Sequence, residues 1–343
     1  MCIYKMESMF ISIAACKEEF LAQTVKSAMA NAMNPELLYF GICNTVIDDE
    51  DYLSDPVFEL DNVNYVELKQ KGPMGTGIGR LMSSLMLDRD HKYFLQIDAH
   101  TIFTKGWDTL LKDSYNKLLN DYEKPIISTS PLWWIENNKK EVMLYGKPEN
   151  TIDPYNLIKD RKAIIESKNS MLEFRDNKTA FNTLMNNIGN DNFNVYAFVE
   201  GVHYDWQDNE EFKEHGLIHA AFVFFDFKFL RELLSDPLNP WDGDQTNISF
   251  RAGTRGYRMF TMREGCIWSK DKMPGNKLLS DYDWRLCQTT KVKGYYDKKA
   301  IEHQSKMFSG EYLGFWGAPT KESIEKYESF MGFKFKDRFA FKK

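Results

Sequence analysis

Tyr93-Phe94-Leu95-Gln96-Ile97-Asp98-Ala99-His100 is an apolar run of strand length that breaks off into a carboxylate and an imidazole two residues apart. Continuous apolar runs of this kind belong to strands covered on both faces, as in parallel sheets. Phe10 to Ala15, Leu38 to Cys43 and Asn64 to Leu68 are three more of them. Between them, Glu18 to Ala32 reads as a helix that ends at the Asn34-Pro35 breaker, and a second helix is predicted from about Arg80 to Leu87. The alternation predicts an α/β fold with a mostly parallel central sheet. Further along, Leu217 to Phe225 and Gly256 to Met262 read as strands, and Thr320 to Phe330 as a closing helix.

At 343 residues the chain can hold one large domain or two ordinary ones. The alternating pattern fills 1–134, loosens over a polar, Asn- and Lys-rich stretch at 135–215 with helical patches such as Tyr155 to Lys168, and resumes over 216–343. The middle stretch reads as an insertion. A net charge of −6 means that no global positive field draws the protein to phosphate backbones, so a nucleic-acid partner would need a local basic patch. Five cysteines without a C-x-x-C pair argue against both a disulfide framework and a zinc ribbon. The N-terminal sequence lacks the pattern of a secretory signal, and no run approaches membrane-span length; a cytoplasmic protein without an anchor is expected. Aromatic residues, at 15%, are numerous enough to serve both a core and a stacking site.

Ligands of open α/β sheets bind outside the carboxyl ends of the strands, where Asp98 and His100 emerge. One carboxylate and one imidazole suit Mn²⁺ or a similar divalent ion; equally, Asp98 can cap a turn and His100 can be structural. The segment Gly72 to Gly79 has neither dinucleotide-binding nor P-loop spacing. It reads either as a loop that lets backbone approach a ligand, with Arg80 supplying a cation for phosphate, or as a plain loop. In Trp241-Asp242-Gly243-Asp244-Gln245, Asp242 and Asp244 could meet sugar hydroxyls or act as a general base, while Asp244 could also cap a helix over Thr246 to Ala252. His91, His203, His215, His219 and His303 have no paired spacing, and Cys16 and Cys43 read as core.

Taken in order, several of these segments resemble the metal-dependent polypeptide N-acetylglucosaminyltransferase family. They are Phe10 to Ala15, Thr24-Val25-Lys26, Phe40 to Cys43, Gly72-Pro73 with Arg80, and Phe94 to His100 with Phe103 and Trp107-Asp108. Ser128 to Pro131, Ala220 to Phe222, Asp236-Pro237, Gly243-Asp244, Arg251 to Thr254, Gly256-Tyr257 and Ser323 to Tyr327 follow. The resemblance covers about 9–134 and 217–335. It implies an A-type glycosyltransferase fold with the nucleotide-sugar site at the strand C-terminal ends and an acceptor-binding insertion. By the same resemblance, Asp98 and His100 hold Mn²⁺ (or Mg²⁺) and the UDP-sugar diphosphate. Ser12 and Ala14 meet the nucleoside, and Gly72, Arg80 and Gln96 line the nucleotide-sugar site. Trp133, with Trp107, Trp134 and Trp241, lies at strand ends or loops as a surface for sugar or base, whereas Phe10, Phe40, Phe94 and Phe222 read as core.

The chain departs from the family pattern in two places. The paired acids after Gly243 are Asp244-Gln245, and Ile267-Trp268-Ser269 stands where the family has a late histidine; His303 is the substitute expected as third metal ligand. Retention, expected from the family, lets the departing phosphate take the acceptor proton, so that Asp244 orients the sugar. For the acceptor, Lys159, Arg161, Lys162, Lys168 and Arg175 lie near Tyr155 and Phe174, and Lys291, Lys293, Lys298 and Lys299 flank Tyr295-Tyr296. Basic side chains among rings suit DNA, although they can equally be a solvated face. The composition and the family's bacteriophage relatives point to the 5-hydroxymethyl group of modified cytosine in DNA, with a pentose such as arabinose, or a hexose, as the sugar. The alternatives are a hydroxyproline-containing protein as acceptor, and a nucleotide-sugar-binding protein without catalysis.

Overall fold

The structure, a computed structural model, describes residues 7–16, 18–46, 55–69, 75–87, 90–129, 131–136, 142–144, 151–152, 170–175, 198–203, 210–238, 244–270, 299, 302–331 and 334–335. The first half runs through β1 (Met9–Cys16), α1 (Leu21–Asn31), β2 (Leu38–Val46), β3 (Val63–Lys69), α2 (Gly75–Ser84), β4 (Tyr93–Asp98), β5 (Thr101–Phe103), α3 (Trp107–Leu118), β6 (Pro125–Ser128) and β7 (Leu132–Glu136). Short strands follow: β8 (Val142–Leu144), β9 (Thr151–Ile152), β10 (Ser170–Arg175) and β11 (Phe198–His203). The rest is β12 (Phe212–Glu214), β13 (Phe222–Asp226), α4 (Leu230–Leu233), α5 (Asp244–Thr254), β14 (Arg258–Met262), β15 (Ile267–Lys270) and α6 (Lys321–Met331).

Eight strands form the central sheet in the order β12-β14-β6-β13-β4-β1-β2-β3. From β4 to β3 every pairing is parallel, and β13 joins β4 and β6 antiparallel, so the sheet is mixed but mostly parallel. A second sheet, β5-β15-β7-β8-β9, rises from the end of β4. In the shared register Phe10, Ser12 and Ala14 stand level with Phe94, Gln96 and Asp98, while Ile11 and Ile13 stand level with Leu95 and Ile97 on the other face. Helices cover both faces, which explains why the strands read as unbroken apolar runs. On the face of Tyr93, Tyr115 of α3 packs edge-on against Tyr93 and Phe224, and its Oη accepts from the Asp226 amide at 3.0 Å. Phe10, Phe40, Phe94 and Phe222 are all buried, as their strand positions imply.

Helix α2 begins at Gly75, so most of the glycine segment expected as a turn is helix. The glycines serve approach to the sheet. A Cβ at Gly79 would come within 3.1 Å of the Ala14 Cβ, and one at Gly41 of β2 would overlap the Phe10 ring and the Ser83 carbonyl. The helix therefore lies close enough for Ser83 and Ser84 to reach Ser12, at 2.7 and 3.0 Å. Glycine costs helix propensity, and here the close contact offsets it.

The expected strand over Leu217 to Phe225 starts only at Phe222. Residues 217–221 are buried for the most part but run outside any ladder, beginning after Gly216 with φ of +81°. Side chains satisfy their backbone groups instead: the Ile218 amide donates to Ser249 Oγ at 2.7 Å and the His219 amide to Ser128 Oγ at 2.9 Å. Most of 135–215, including the helical patch expected at Tyr155 to Lys168, lies outside the described residues. Among the described residues no helix is long and apolar enough to cross a membrane.

His215 locks the start of this segment. Its Nδ1 accepts from the Leu217 amide at 3.1 Å and its Nε2 donates to the Ser128 carbonyl at 3.0 Å, an arrangement open only to the neutral ring. Burial pushes its pKa down to about 4, so the folded state resists protonation while the unfolded chain takes up a proton near pH 6.5. Stability contributed by neutral His215 is complete above about pH 6.5 and is lost as pH falls towards 4. We expect the urea midpoint to drop across that window, and His215→Gln to flatten the decline.

Candidate active site

The turn between β4 and β5 is fixed from three sides before any ligand arrives. Thr24 of α1 donates to the Ala99 carbonyl at 2.8 Å and accepts from the Thr101 amide at 2.9 Å. The His100 carbonyl accepts from Trp134 Nε1 at 3.0 Å and from the Lys270 amide at 3.1 Å, so β7 and β15 clamp the turn from above. Thr101 Oγ1 closes it on the Asp98 carbonyl at 2.8 Å. Lys270 is itself buried, with Nζ 3.4 Å from the Phe20 ring centre and 3.6 Å from Glu19.

Within this frame His100 Nδ1 donates to Glu18 Oε2 at 3.0 Å, and Glu18 is only 6% exposed. A carboxylate on Nδ1 sets the tautomer and turns the Nε2 lone pair outward. That Nε2 stands 3.9 Å from Asp98 Oδ2. The other oxygen of Asp98 accepts from Arg80 Nη2 at 3.1 Å, and Arg80 Nη1 donates to Asp244 Oδ2. Arg80 is 8% exposed, so this guanidinium ties α2, β4 and the first residue of α5 together in a nearly dry setting. Asp244 also opens its helix, its Oδ1 accepting from the Gln245 amide at 2.8 Å. One carboxylate thus both meets the first turn of α5 and pairs with Arg80.

One guanidinium among Glu18, Asp98 and Asp244 leaves the cluster net negative. An anionic diphosphate would be repelled from it without a further cation. The residues fit a divalent ion: two donors about 2.1 Å from one ion can stand up to about 4.2 Å apart, and Asp98 Oδ2 and His100 Nε2 fall within that span. Among the described residues no three His, Cys, Asp or Glu side chains converge as a metal cluster.

His303, expected as the third metal ligand, is placed elsewhere. Its Nε2 donates to Asp236 Oδ2 at 2.7 Å, and the same oxygen accepts from Asn247 at 3.0 Å. Burial, the largest single influence, would raise Asp236, but the His303 hydrogen bond and charge, the Leu238 amide and the Arg251 charge together hold the carboxyl below its ordinary range. Beside it, Arg251 is fully buried and bonds Asn247 and the carbonyls of Glu232 and Leu234, so the cluster fastens α5 to its surroundings.

Other expected contacts are corrected in the same way. The Ser12 hydroxyl is wholly buried between Ser83 and Ser84, where it links β1 to α2 instead of meeting a nucleoside. Gln96 is 4% exposed and donates to the Ala220 carbonyl at 2.7 Å, positioning the backbone before β13. Trp107 is core, its Nε1 bonded to the Ala28 carbonyl at 2.9 Å, and Trp134 is buried against Phe20. Ala14 is half-buried and level with Asp98 in the strand register. The backbone of Trp133 pairs with Ser269 beside the clamped turn. Gly72, Trp241 and Asp242 lie outside the described residues. Sequence reasoning missed Glu18, which reads only as a helix start, and His219, whose ring lies within electrostatic reach of Asp98 and Arg80.

The carboxylate and the imidazole stand at the strand ends of a mostly parallel sheet, where open α/β folds bind their ligands. The family model described as "Glycosyltransferase (GlcNAc)" matches residues 50–293, well over half of the chain, and the chain belongs to that family. A structure of GalNAc-T7 with UDP, GalNAc and Mn²⁺ is similar over 95% of this chain and 55% of that one, at 12% identity and a TM-score of 0.48. A structure of S. aureus TarS 1–349 with UDP-GlcNAc is similar over 89% of this chain and 73% of that one, at 9% identity and a TM-score of 0.38. The chain spans about half the length of the GalNAc-T7 chain. No curated protein matches it.

The placement of His303 has a measurable consequence. His303→Ala leaves Asp236 buried without its main partner and should lower unfolding stability by about 2–3 kcal/mol. Calorimetric titration with Mn²⁺ should give the same affinity as the unaltered chain.

Proposed function

We propose that the chain is a metal-dependent glycosyltransferase that moves a sugar, a pentose such as arabinose or a hexose, from a UDP-sugar to a hydroxyl acceptor. The observation that carries this reading is the pair Asp98 Oδ2 and His100 Nε2, 3.9 Å apart at the end of β4, with Glu18 behind the imidazole and Arg80 beside the carboxylate. Membership of the glycosyltransferase family supports it.

Asp98 and His100 are the residues that would hold Mn²⁺ or Mg²⁺. When bound, such an ion supplies Lewis acidity that neutralises the charge growing on the departing diphosphate. Arg80 adds a guanidinium beside the same charge. Asp244, fixed by Arg80, is placed to orient the sugar; with retention, the acceptor proton can leave on the departing phosphate and no protein base is required.

For the acceptor, the basic and aromatic sequence at 155–175 and 291–299 favours the hydroxymethyl group of modified cytosine in DNA. The full chain with Mn²⁺ should be incubated with UDP-arabinose, UDP-glucose or UDP-GlcNAc and either hydroxymethylated DNA or hydroxyproline peptides, reading product mass. An increment of one sugar on DNA is expected. An increment on peptide alone would move the acceptor to protein, and UDP-sugar binding without any increment would leave a binding protein. Asp98→Ala should lower turnover more than about a hundredfold, and Glu18→Gln should weaken Mn²⁺ binding about 10- to 100-fold by freeing the imidazole to turn.

A further inference from the structure

His219 sits in the ladder-free segment before β13, and its backbone is held from three elements. Its amide donates to Ser128 Oγ of β6, its neighbour Ile218 is bonded to Ser249 of α5, and its neighbour Ala220 accepts from Gln96 of β4. Such fastening exceeds what is needed to start a strand at Phe222. Its effect is to hold one imidazole at the carboxyl end of β4, where it feels the charges of Asp98 and Arg80.

The ring's hydrogen bonding is unfinished. Nδ1 is buried, and no described residue bonds it. The residue as a whole is only part-buried, and Nε2, unlike Nδ1, is not among the buried atoms left without a partner. A buried orphan N–H is rarer and costlier than an orphan lone pair, so the proton belongs on Nε2. With Nδ1 buried and without an acceptor among the described residues, protonating both nitrogens would bury an orphan N–H, so the ring stays neutral. What remains is a single N–H donor within electrostatic reach of Asp98, with no acceptor among the described residues.

The sheet order limits what that donor can meet. Across the strand ends the order is β2, β1, β4, β13, so His219 lies on the opposite side of β4 from Ala14. If the nucleoside lies over β1 and the diphosphate over Asp98 and His100, the next group along the line is the sugar. A neutral imidazole suits a hydroxyl, which is uncharged, whereas Arg80 is the group matched to phosphate. Resting on the glycosyltransfer reading, we infer that His219 donates from Nε2 to a hydroxyl of the donor sugar and so helps to select and orient that sugar.

The test is calorimetric titration of the full chain and of His219→Ala and His219→Gln in Mn²⁺, with UDP and with UDP-glucose, UDP-GlcNAc and UDP-arabinose. Loss of one hydrogen bond should weaken the best-bound UDP-sugar about tenfold in His219→Ala, while UDP itself changes less than about twofold. His219→Gln, which keeps a side-chain N–H, should recover part of the loss. Equal weakening of UDP and UDP-sugar would overturn the inference, as would no change in either; both outcomes leave the glycosyltransfer reading standing. If the unaltered chain binds neither UDP nor any UDP-sugar, the inference falls together with the reading beneath it.

Discussion

Arg80 is the constraint on which the site depends. It bonds Asp98, 18 positions away, and Asp244, 164 positions away, from a side chain almost withdrawn from water. A guanidinium in that setting needs its anions, and each carboxylate needs the guanidinium, because an unpaired buried charge is costly. The start of α5, the end of β4 and the outer face of α2 are therefore mutually fixed. Gly41 and Gly79 are what allow α2 to lie near enough for this link to close.

Around that link the structure separates two kinds of polar work. Thr24, Trp134, Lys270 and Thr101 bind only the backbone of the Asp98–His100 turn, so the turn's shape does not rely on the side chains it presents. Glu18 then sets the direction of His100. A site built in this way is preorganised, because the orienting groups are anchored independently of those that would touch a ligand. The net negative cluster that results is poised for a cation before an anionic donor.

The second half of the chain follows the same logic with a different outcome. Asp236, His303, Asn247 and Arg251 form a satisfied buried network whose result is rigidity of α5 rather than a binding site. From residue types alone it resembles a metal site as closely as Asp98 and His100 do. Burial and place separate them: both Asp236 oxygens and all three Arg251 nitrogens are bonded within the interior, while the Asp98–His100 pair lies at the carboxyl end of the strands.

Much of the fold was legible in the sequence, since unbroken apolar runs alternating with helical periodicity can only be strands covered on both faces. The D-x-H at the end of β4 was legible too, because the strand's end determines where those side chains emerge. Roles that depend on partners distant in sequence were not. Glu18 and His100 are 82 positions apart, and the later histidine within electrostatic reach of Asp98 is His219, while His303 pairs with Asp236. Ser12 and Gln96 carry polar groups that suit a ligand, yet both turn into the interior, where α2 and the segment before β13 take their hydrogen bonds. Local pattern determines which residues reach a strand end; the packing of helices over that end decides which polar groups remain there, because a buried donor or acceptor must take the nearest partner the fold supplies.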